Sequence, residues 1–279
     1  MLSTATRLAV WGDPIAHSRS PQLHAAAYDL LGWDWTYGRR QVAASALPGA
    51  LAALDGTWRG LSLTYPLKSA AFASARTRDR RAELTGAVNT LLLGADGPSG
   101  FNTDVGGIVR ALAEKGITRL EEARIVGAGA TATSALVALA ELGAERVEVL
   151  ARRPEAAAPL VRLGERLGIA VAAAPLPSSA VSAVPLTIAT LPGDATLPDA
   201  AARALAGSGG TLLDVVYGTW PTRLAAVWQD AGETALSGLG MLLHQALLQI
   251  RVFASGDTEA ELPREADVLA VMRRAVMGD

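Results

Sequence analysis

The stretch that most constrains the fold of this chain lies between residues 123 and 150. Ala123–Val126 reads as a buried strand, and Thr133–Leu142 is rich in Ala and Leu with helical spacing. Between them stands Gly127-Ala128-Gly129-Ala130-Thr131-Ala132. A Gly-x-Gly-x-x-Ala turn from strand to helix is the fingerprint of a dinucleotide site. Gly127 allows the tight turn. Gly129 lets the backbone approach a pyrophosphate, which then rests on amides at the helix N-terminus. Ala132 is small enough for helix and strand to pack closely. In a chain rich in Ala and Gly the pattern alone is weak, but a second strand, Arg146–Leu150, follows at βαβ spacing.

The end of that second strand bears on the choice of dinucleotide. An NAD site places Asp or Glu there to accept from the ribose 2′-hydroxyl. Here the chain reads Ala151-Arg152-Arg153. No acid is present, and two guanidinium groups can pair with a 2′-phosphate, so the expected cofactor is NADP(H). The plainer reading is two solvated arginines ahead of a surface helix at Pro154.

Composition narrows the class. With 279 residues the chain can form two domains of ordinary size. Half the residues are hydrophobic and the formal charge is −2, which implies a compact soluble protein with no basic excess for nucleic acid and no polybasic run for a membrane surface. No apolar run is long enough to span a bilayer, and the first ten residues lack the apolar core of a signal peptide. There is no Cys, hence no disulfide and no thiol nucleophile. His17, His24 and His244 lack metal-ligand spacing, so no metal is expected. A cytoplasmic location is expected.

The first third alternates strands and helices. Arg7–Trp11, Thr36–Val42, Arg59–Leu63 and Val88–Leu93 read as strands. Ser20-Pro21 reads as a helix start with a capping hydroxyl and Pro at the first position, followed by Leu23, Ala27, Leu30 and Leu31 at helical spacing. Ala46–Leu54 and a short segment from Pro66 read as further helices. The middle repeats strand and helix, its strands being Ala123–Val126, Arg146–Leu150, Ile169–Ala172, Leu186–Thr190 and Thr211–Val216. These are nearly continuous apolar runs, as in parallel strands covered on both faces. A long helix is expected over Leu239–Ala254 and another after Pro263.

Four polar clusters interrupt these elements. In Gly12-Asp13-Pro14-Ile15-Ala16-His17-Ser18-Arg19-Ser20-Pro21, two hydroxyls precede a helix and could hold a carboxylate; taken alone, Ser20 is better read as a cap. In Thr64-Tyr65-Pro66-Leu67-Lys68, Lys68 falls at the positive end of a helix, an unfavourable place for a cation and the setting an acid/base lysine needs; taken alone, it reads as a surface lysine. Gly86-Ala87-Val88-Asn89-Thr90 goes with Asn102-Thr103-Asp104, where Asp104 is expected to cap the helix Val105–Lys115. The last is Met241-Leu242-Leu243-His244-Gln245, preceded by Tyr217 after the last central strand.

Taken together, in this order and spacing, the clusters resemble the shikimate dehydrogenase family over residues 12 to about 249. The resemblance implies an α/β protein: an N-terminal α/β substrate domain plus a Rossmann-type, doubly wound parallel-sheet dinucleotide-binding domain. It places the substrate-binding catalytic domain at 1–103, with C-terminal helices over 238–279 packing back on it, and the NADP-binding domain at 104–237. It implies that Ser18 and Ser20 hold the shikimate carboxylate with Thr64 and Tyr217. Asn89 and Gln245 would bond ring hydroxyls, while Lys68 and Asp104 flank the hydroxyl being oxidised. Gly127, Ala128, Gly129, Ala130 and Thr131 would cradle the pyrophosphate, Arg152 and Arg153 would take the 2′-phosphate, and Gly238 would lie near the nicotinamide. Ser62 stands where the family usually has Asn, and its shorter hydroxyl is expected still to donate.

The implied activity is reversible reduction of 3-dehydroshikimate to shikimate with NADPH, in aromatic amino-acid biosynthesis. The expected partners are small molecules, with a homodimer as the candidate assembly. Two alternatives stay open: a quinate/shikimate dehydrogenase paralogue with shifted substrate or NAD preference, and a dinucleotide-binding regulator without turnover. An intact Lys68 and Asp104 weigh against the regulator.

Overall fold

A computed structural model describes residues 6–193, 195, 197–218 and 220–277. The chain divides into two compact units, Met1–Gly107 with Leu243–Asp279, and Ile108–Leu242. The boundaries read from the sequence fall a few residues earlier.

The first unit is built on a six-stranded sheet of mixed direction. Its strands are β1 (Thr6–Gly12), β2 (Trp35–Gln41), β3 (Trp58–Leu63), β4 (Thr77–Arg78), β5 (Thr90–Leu92) and β6 (Ser99–Phe101), in the order β2-β1-β3-β5-β6-β4. β1 runs parallel to β2 and β3, whereas β5 is antiparallel to β3 and β6. Trp11, Leu61, Leu63 and Leu91 anchor one core cluster. Residues 243–255 of the helix Leu239–Ser255 and the helix Glu265–Met277 complete the unit, the second packing on Ser20–Leu31. Buried Arg251 joins them through Glu265. The long helix lies very close to β3: a Cβ at Gly60 would come within 2.5 Å of the Phe253 ring, so only glycine fits there.

The second unit carries β7 (Glu122–Val126), β8 (Arg146–Ala151), β9 (Ala170–Pro175), β10 (Leu186–Ala189), β11 (Thr211–Asp214) and β12 (Ala235–Ser237). Their order is β12-β11-β10-β7-β8-β9, and every adjacent pair is parallel. This is the doubly wound sheet that the strand–helix rhythm predicts. The central strands β7 and β10 are buried along nearly their whole length. Arg124 within β7 is itself fully buried, and its guanidinium is satisfied by Glu148 at 2.6 Å, Ser208 at 2.9 Å and the Ser182 carbonyl at 2.7 Å.

β9 departs from expectation. It reads as covered on both faces, yet it is the edge strand and mostly exposed. Its run of alanines offers little apolar area, so exposure costs little. Among the described residues, no helix is long and apolar enough to cross a membrane.

Candidate functional site

In the first unit, loops at the carboxyl ends of the strands draw the polar clusters together. Gly12 ends β1 against Thr64, where a Cβ would sit 2.4 Å from the threonine methyl. The Thr64 amide donates to the Trp11 carbonyl at 3.0 Å, and the Asp13 amide to the Tyr65 carbonyl at 2.9 Å. The Ser18 loop and the Thr64–Lys68 segment are thereby fastened side by side. The Val88 amide donates to the Lys68 carbonyl at 3.0 Å, and the Asn89 amide to the Phe101 carbonyl at 3.0 Å. Residues far apart in the sequence so converge on one rim.

At its centre Lys68 Nζ donates to Asp104 Oδ2 at 2.6 Å, with both side chains largely buried. Lys68 is the first residue of the helix Lys68–Ser74, two residues later than the start expected at Pro66. The carboxylate supplies the favourable charge that the helix terminus withholds. Asn89, 1% exposed, holds the other carboxylate oxygen: its Nδ2 donates to Asp104 Oδ1 at 2.8 Å and to Thr103 Oγ1 at 2.9 Å. Its Oδ1 accepts from the Thr103 amide at 2.9 Å.

Two capping roles differ from expectation. Asp104 does not cap its helix, which runs Thr103–Ala113 and carries Asp104 in its first turn. The Asp104 amide donates instead to Asn102 Oδ1 at 3.1 Å. The cap lies two residues upstream, and this leaves the Asp104 carboxylate to Lys68. Nor does the Ser20 hydroxyl cap the helix Ser20–Leu31; the Ser20 amide donates to Ser18 Oγ at 3.3 Å. Ser20 is buried, Ser18 and Thr64 are half-buried, and Gln245 is buried on the long helix.

The sequence reading missed a set of buried side chains behind this rim. Ser62 Oγ accepts from Tyr37 at 2.6 Å and donates to Gln249 Oε1 at 2.7 Å. A hydroxyl has one proton, so the Ser62 donor expected for substrate is already committed. His24 is fully buried, contacts Gln249 Oε1 at 3.4 Å and Tyr28 at 2.9 Å, and stacks on Tyr37 at 3.9 Å. Burial lowers its pKa to about 3, against the opposing effect of the hydrogen bond it makes to Gln249 Oε1, so it is neutral. Burial likewise pushes the Tyr37 hydroxyl above the ordinary phenol range. The sequence marks Ser62 only as a departure from the family pattern and carries Gln249 one turn after Gln245, with nothing to show that the two meet.

The second unit holds the other candidates. Gly127 has φ +116°, and a Cβ there would meet Thr190 Oγ1 at 2.5 Å, so the turn requires glycine. The helix begins at Ala130 rather than Thr133, with Gly129 at its N-cap and no side-chain cap. Thr131 thus belongs to its first turn, where amides lack intrahelical acceptors. Gly129 and Ala130 are exposed, with nothing within 4 Å of a Cβ built on Gly129. Arg152 and Arg153 are exposed just past β8. An uncapped helix start, an open glycine and two exposed cations fit a dinucleotide phosphate group.

Tyr217 follows β11, and Gly238 is buried where a Cβ would come within 2.1 Å of the Val215 carbonyl oxygen. The loop bearing Tyr217 is fastened by Asp214, a residue not singled out from the sequence. Its carboxylate accepts from Thr222 Oγ1 at 2.7 Å and from the Val216 amide at 3.2 Å. Burial raises its pKa more than these bonds lower it.

The dinucleotide turn of the parallel-sheet second unit and the buried lysine–carboxylate pair of the first define an oxidoreductase of the pyridine-nucleotide class. Residues 10–91 match the shikimate dehydrogenase substrate-binding domain. A shikimate dehydrogenase (NADP(+)) of Methylobacterium radiotolerans is 36% identical over 266 residues, covering 88% of this chain and 90% of the relative. The crystal structure of Mycobacterium tuberculosis shikimate dehydrogenase superposes with TM-score 0.85 at 39% identity, covering 98% of this chain and all of that one. A Thermus thermophilus shikimate 5-dehydrogenase in complex with NADP(H) and shikimate gives TM-score 0.77 at 32% identity, covering 96% of this chain and 99% of that one. The chain belongs to the shikimate dehydrogenase family.

Proposed function

We propose that this chain interconverts shikimate and 3-dehydroshikimate with NADP(H), a step of aromatic amino-acid biosynthesis, through the residues assembled above. The observation that carries the residue assignment is the 2.6 Å bond between Lys68 and Asp104. When bound, the cofactor supplies or accepts the hydride at the ring carbon. The amides of residues 127–131 and the Arg152 and Arg153 guanidinium groups would hold it.

The chain's own residues manage the proton. In reduction, Lys68 as the ammonium gives a proton to the oxygen of the carbonyl being reduced. In oxidation, its neutral amine takes the hydroxyl proton back. Asp104 accepts from Lys68 in either charge state of the lysine and keeps its Nζ directed at the reacting oxygen. Asn89 fixes the Asp104 carboxylate, so the acid/base pair keeps its geometry as the charge on the lysine changes. Ser18, Ser20 and Thr64 offer hydroxyl donors to the substrate carboxylate, Gln245 bonds a ring hydroxyl, Asn89, with its donors taken by Thr103 and Asp104 and not free for a ring hydroxyl as first expected, acts through the carboxylate it holds, and Tyr217 and Gly238 belong to the cofactor-bearing unit. A carboxylate that keeps its charge throughout is bound about equally in ground and transition states, so these donors act on KM.

The test is a steady-state assay with shikimate and with quinate, each with NADP and NAD. Turnover of shikimate with NADP, exceeding the other three combinations, is expected. Turnover confined to quinate or to NAD would replace this reading with that of the paralogue.

A further inference from the structure

Asn102 is fully buried two residues before Asp104, and each end of its side-chain amide meets a partner that can bond in only one sense. Its Oδ1 accepts from the Asp104 amide at 3.1 Å. Its Nδ2 donates to the Ala87 carbonyl at 3.1 Å and to Thr85 Oγ1 at 2.9 Å. A backbone N–H can only donate and a carbonyl can only accept, so the amide cannot be turned over.

The segment that Asn102 grips is the one that holds Lys68. The Val88 amide, next after Ala87, donates to the Lys68 carbonyl at 3.0 Å. From there the lysine side chain reaches Asp104 at 2.6 Å, and the Asp104 amide returns to Asn102. The bonds close a ring: Asn102 to Ala87, Val88 to Lys68, Lys68 to Asp104, Asp104 to Asn102. Asn89, from the same segment, holds the other carboxylate oxygen of Asp104. A helix cap needs only an acceptor oxygen, which serine supplies as well as asparagine. It has no use for the two N–H groups that asparagine adds, and here both are spent on the segment 85–87.

We propose that Asn102 is a positioning residue for the reaction: by tying the backbone of Asp104 to the segment that holds the Lys68 carbonyl, it sets the separation of the lysine and the carboxylate. This rests on the functional reading above. With no exposed surface, Asn102 acts through Lys68 and Asp104 and not by touching ligand.

Asn102→Ser tests it, because serine keeps a capping oxygen and removes both N–H groups. The kcat for shikimate oxidation should fall roughly ten- to hundredfold, the cost of a small misplacement of reacting groups. KM for NADP should be unchanged, and KM for shikimate should stay within about threefold. Asp104 is the carboxylate paired with Lys68, and an ammonium held less closely by a carboxylate gives up its proton more readily. The rising limb of kcat against pH should therefore move to lower pH. In a Lys68→Ala background, Asn102→Ser should cost no further kcat, because it acts through the lysine.

A kcat and pH profile like those of the wild type in Asn102→Ser would overturn the inference and leave Asn102 a cap. Losses that multiply in the double variant would do the same. Should Asn102→Ser fail to fold, Thr85→Val decides, since it removes the other acceptor of the same amide and leaves the cap intact. It should lower kcat about two- to threefold, the worth of a weak hydrogen bond, and move the limb in the same direction; a wild-type profile there would overturn the inference. A wild-type protein that does not turn over shikimate would instead overturn the functional reading beneath it.

Discussion

The two units prepare for their ligands in opposite ways. In the first, the candidate groups are side chains already bonded to one another: Lys68 to Asp104, Asp104 to Asn89, Ser62 to Gln249. In the second, the candidate groups are backbone amides at an uncapped helix start and two exposed arginines. A buried polar network holds its geometry without ligand, because each member left unpaired would carry a desolvation penalty. A helix N-terminus needs no such network, since the fold itself orients its N–H groups. Preorganisation thus resides in side chains where the chemistry is proposed to occur, and in backbone where a phosphate is proposed to sit.

The largest expected effect tests the first half of this contrast. Lys68→Ala removes the proton donor from a pair whose geometry is otherwise fixed, and kcat should fall by about 10²–10⁴. Affinity for NADP should be unchanged, since the residues proposed to hold it lie in the other unit. A kcat near that of the wild type would remove the acid/base assignment. Next in size is the second half. Arg152→Ala/Arg153→Ala should cost NADP about one to two decades in affinity, as charge-assisted bonds to phosphate are lost. Turnover with NAD should barely change, and KM for shikimate should stay put. If NAD and NADP suffered equally, the arginines would be holding something other than the 2′-phosphate.

The same contrast explains what could be read in the sequence. The dinucleotide turn is local: strand, glycines and helix lie within one short segment, and steric need alone demands Gly127. Strands β7, β8, β10 and β11 were legible because parallel strands at the centre of a sheet are written as apolar runs. The short strands β4, β6 and β12 span two or three residues each and carry no period to detect. Lys68 and Asp104 were found through motif order, although the cap assigned to Asp104 belongs to Asn102. The network of His24, Tyr37, Ser62 and Gln249 was invisible, because Ser62 and Gln249 meet across 187 residues and His24 and Gln249 across 225. Only the folded sheet, with the long helix returning to it, brings them together.

Acid should strain the two units in opposite senses. His24 titrates near 3 in the fold against 6.5 ordinarily. Above about 6.5 it is neutral in both states and contributes no pH dependence. Between about 6.5 and 3 the unfolded chain takes up a proton that the fold refuses, so stability falls as pH falls. At pH 5 the loss from this residue approaches about 2 kcal/mol. The groups facing His24 are Tyr28, Tyr37, Gln249 and Phe253, none of them an acid that could hold the proton. Asp214 in the second unit is shifted the other way: its raised pKa favours protonation on folding, so its contribution is lost as pH rises through the carboxylate range. Denaturant unfolding at pH 7 and pH 5 should show the acid loss in the wild type and a smaller one in His24→Gln. An equal loss in both would place the acid sensitivity elsewhere.

The smallest effect separates two serines that look interchangeable in the sequence. Ser20 stands where a cap is expected, yet it is Ser18 Oγ that accepts the Ser20 amide, at 3.3 Å. Ser18→Ala should therefore cost a weak cap, about 0.5–1 kcal/mol, and lower Tm by about 2–3 °C. Ser20→Ala leaves that acceptor in place, and Tyr37 keeps its bond to Ser62, so no buried donor is orphaned and the change in Tm should be smaller. Both substitutions should still raise KM for shikimate, because both hydroxyls are proposed to serve the carboxylate. Thermal melts together with KM values distinguish the roles: the two serines should be alike in binding and unlike in stability. A Ser20→Ala protein less stable than Ser18→Ala would return the cap to Ser20. It would also imply that the buried Ser20 hydroxyl serves the helix before it serves any ligand.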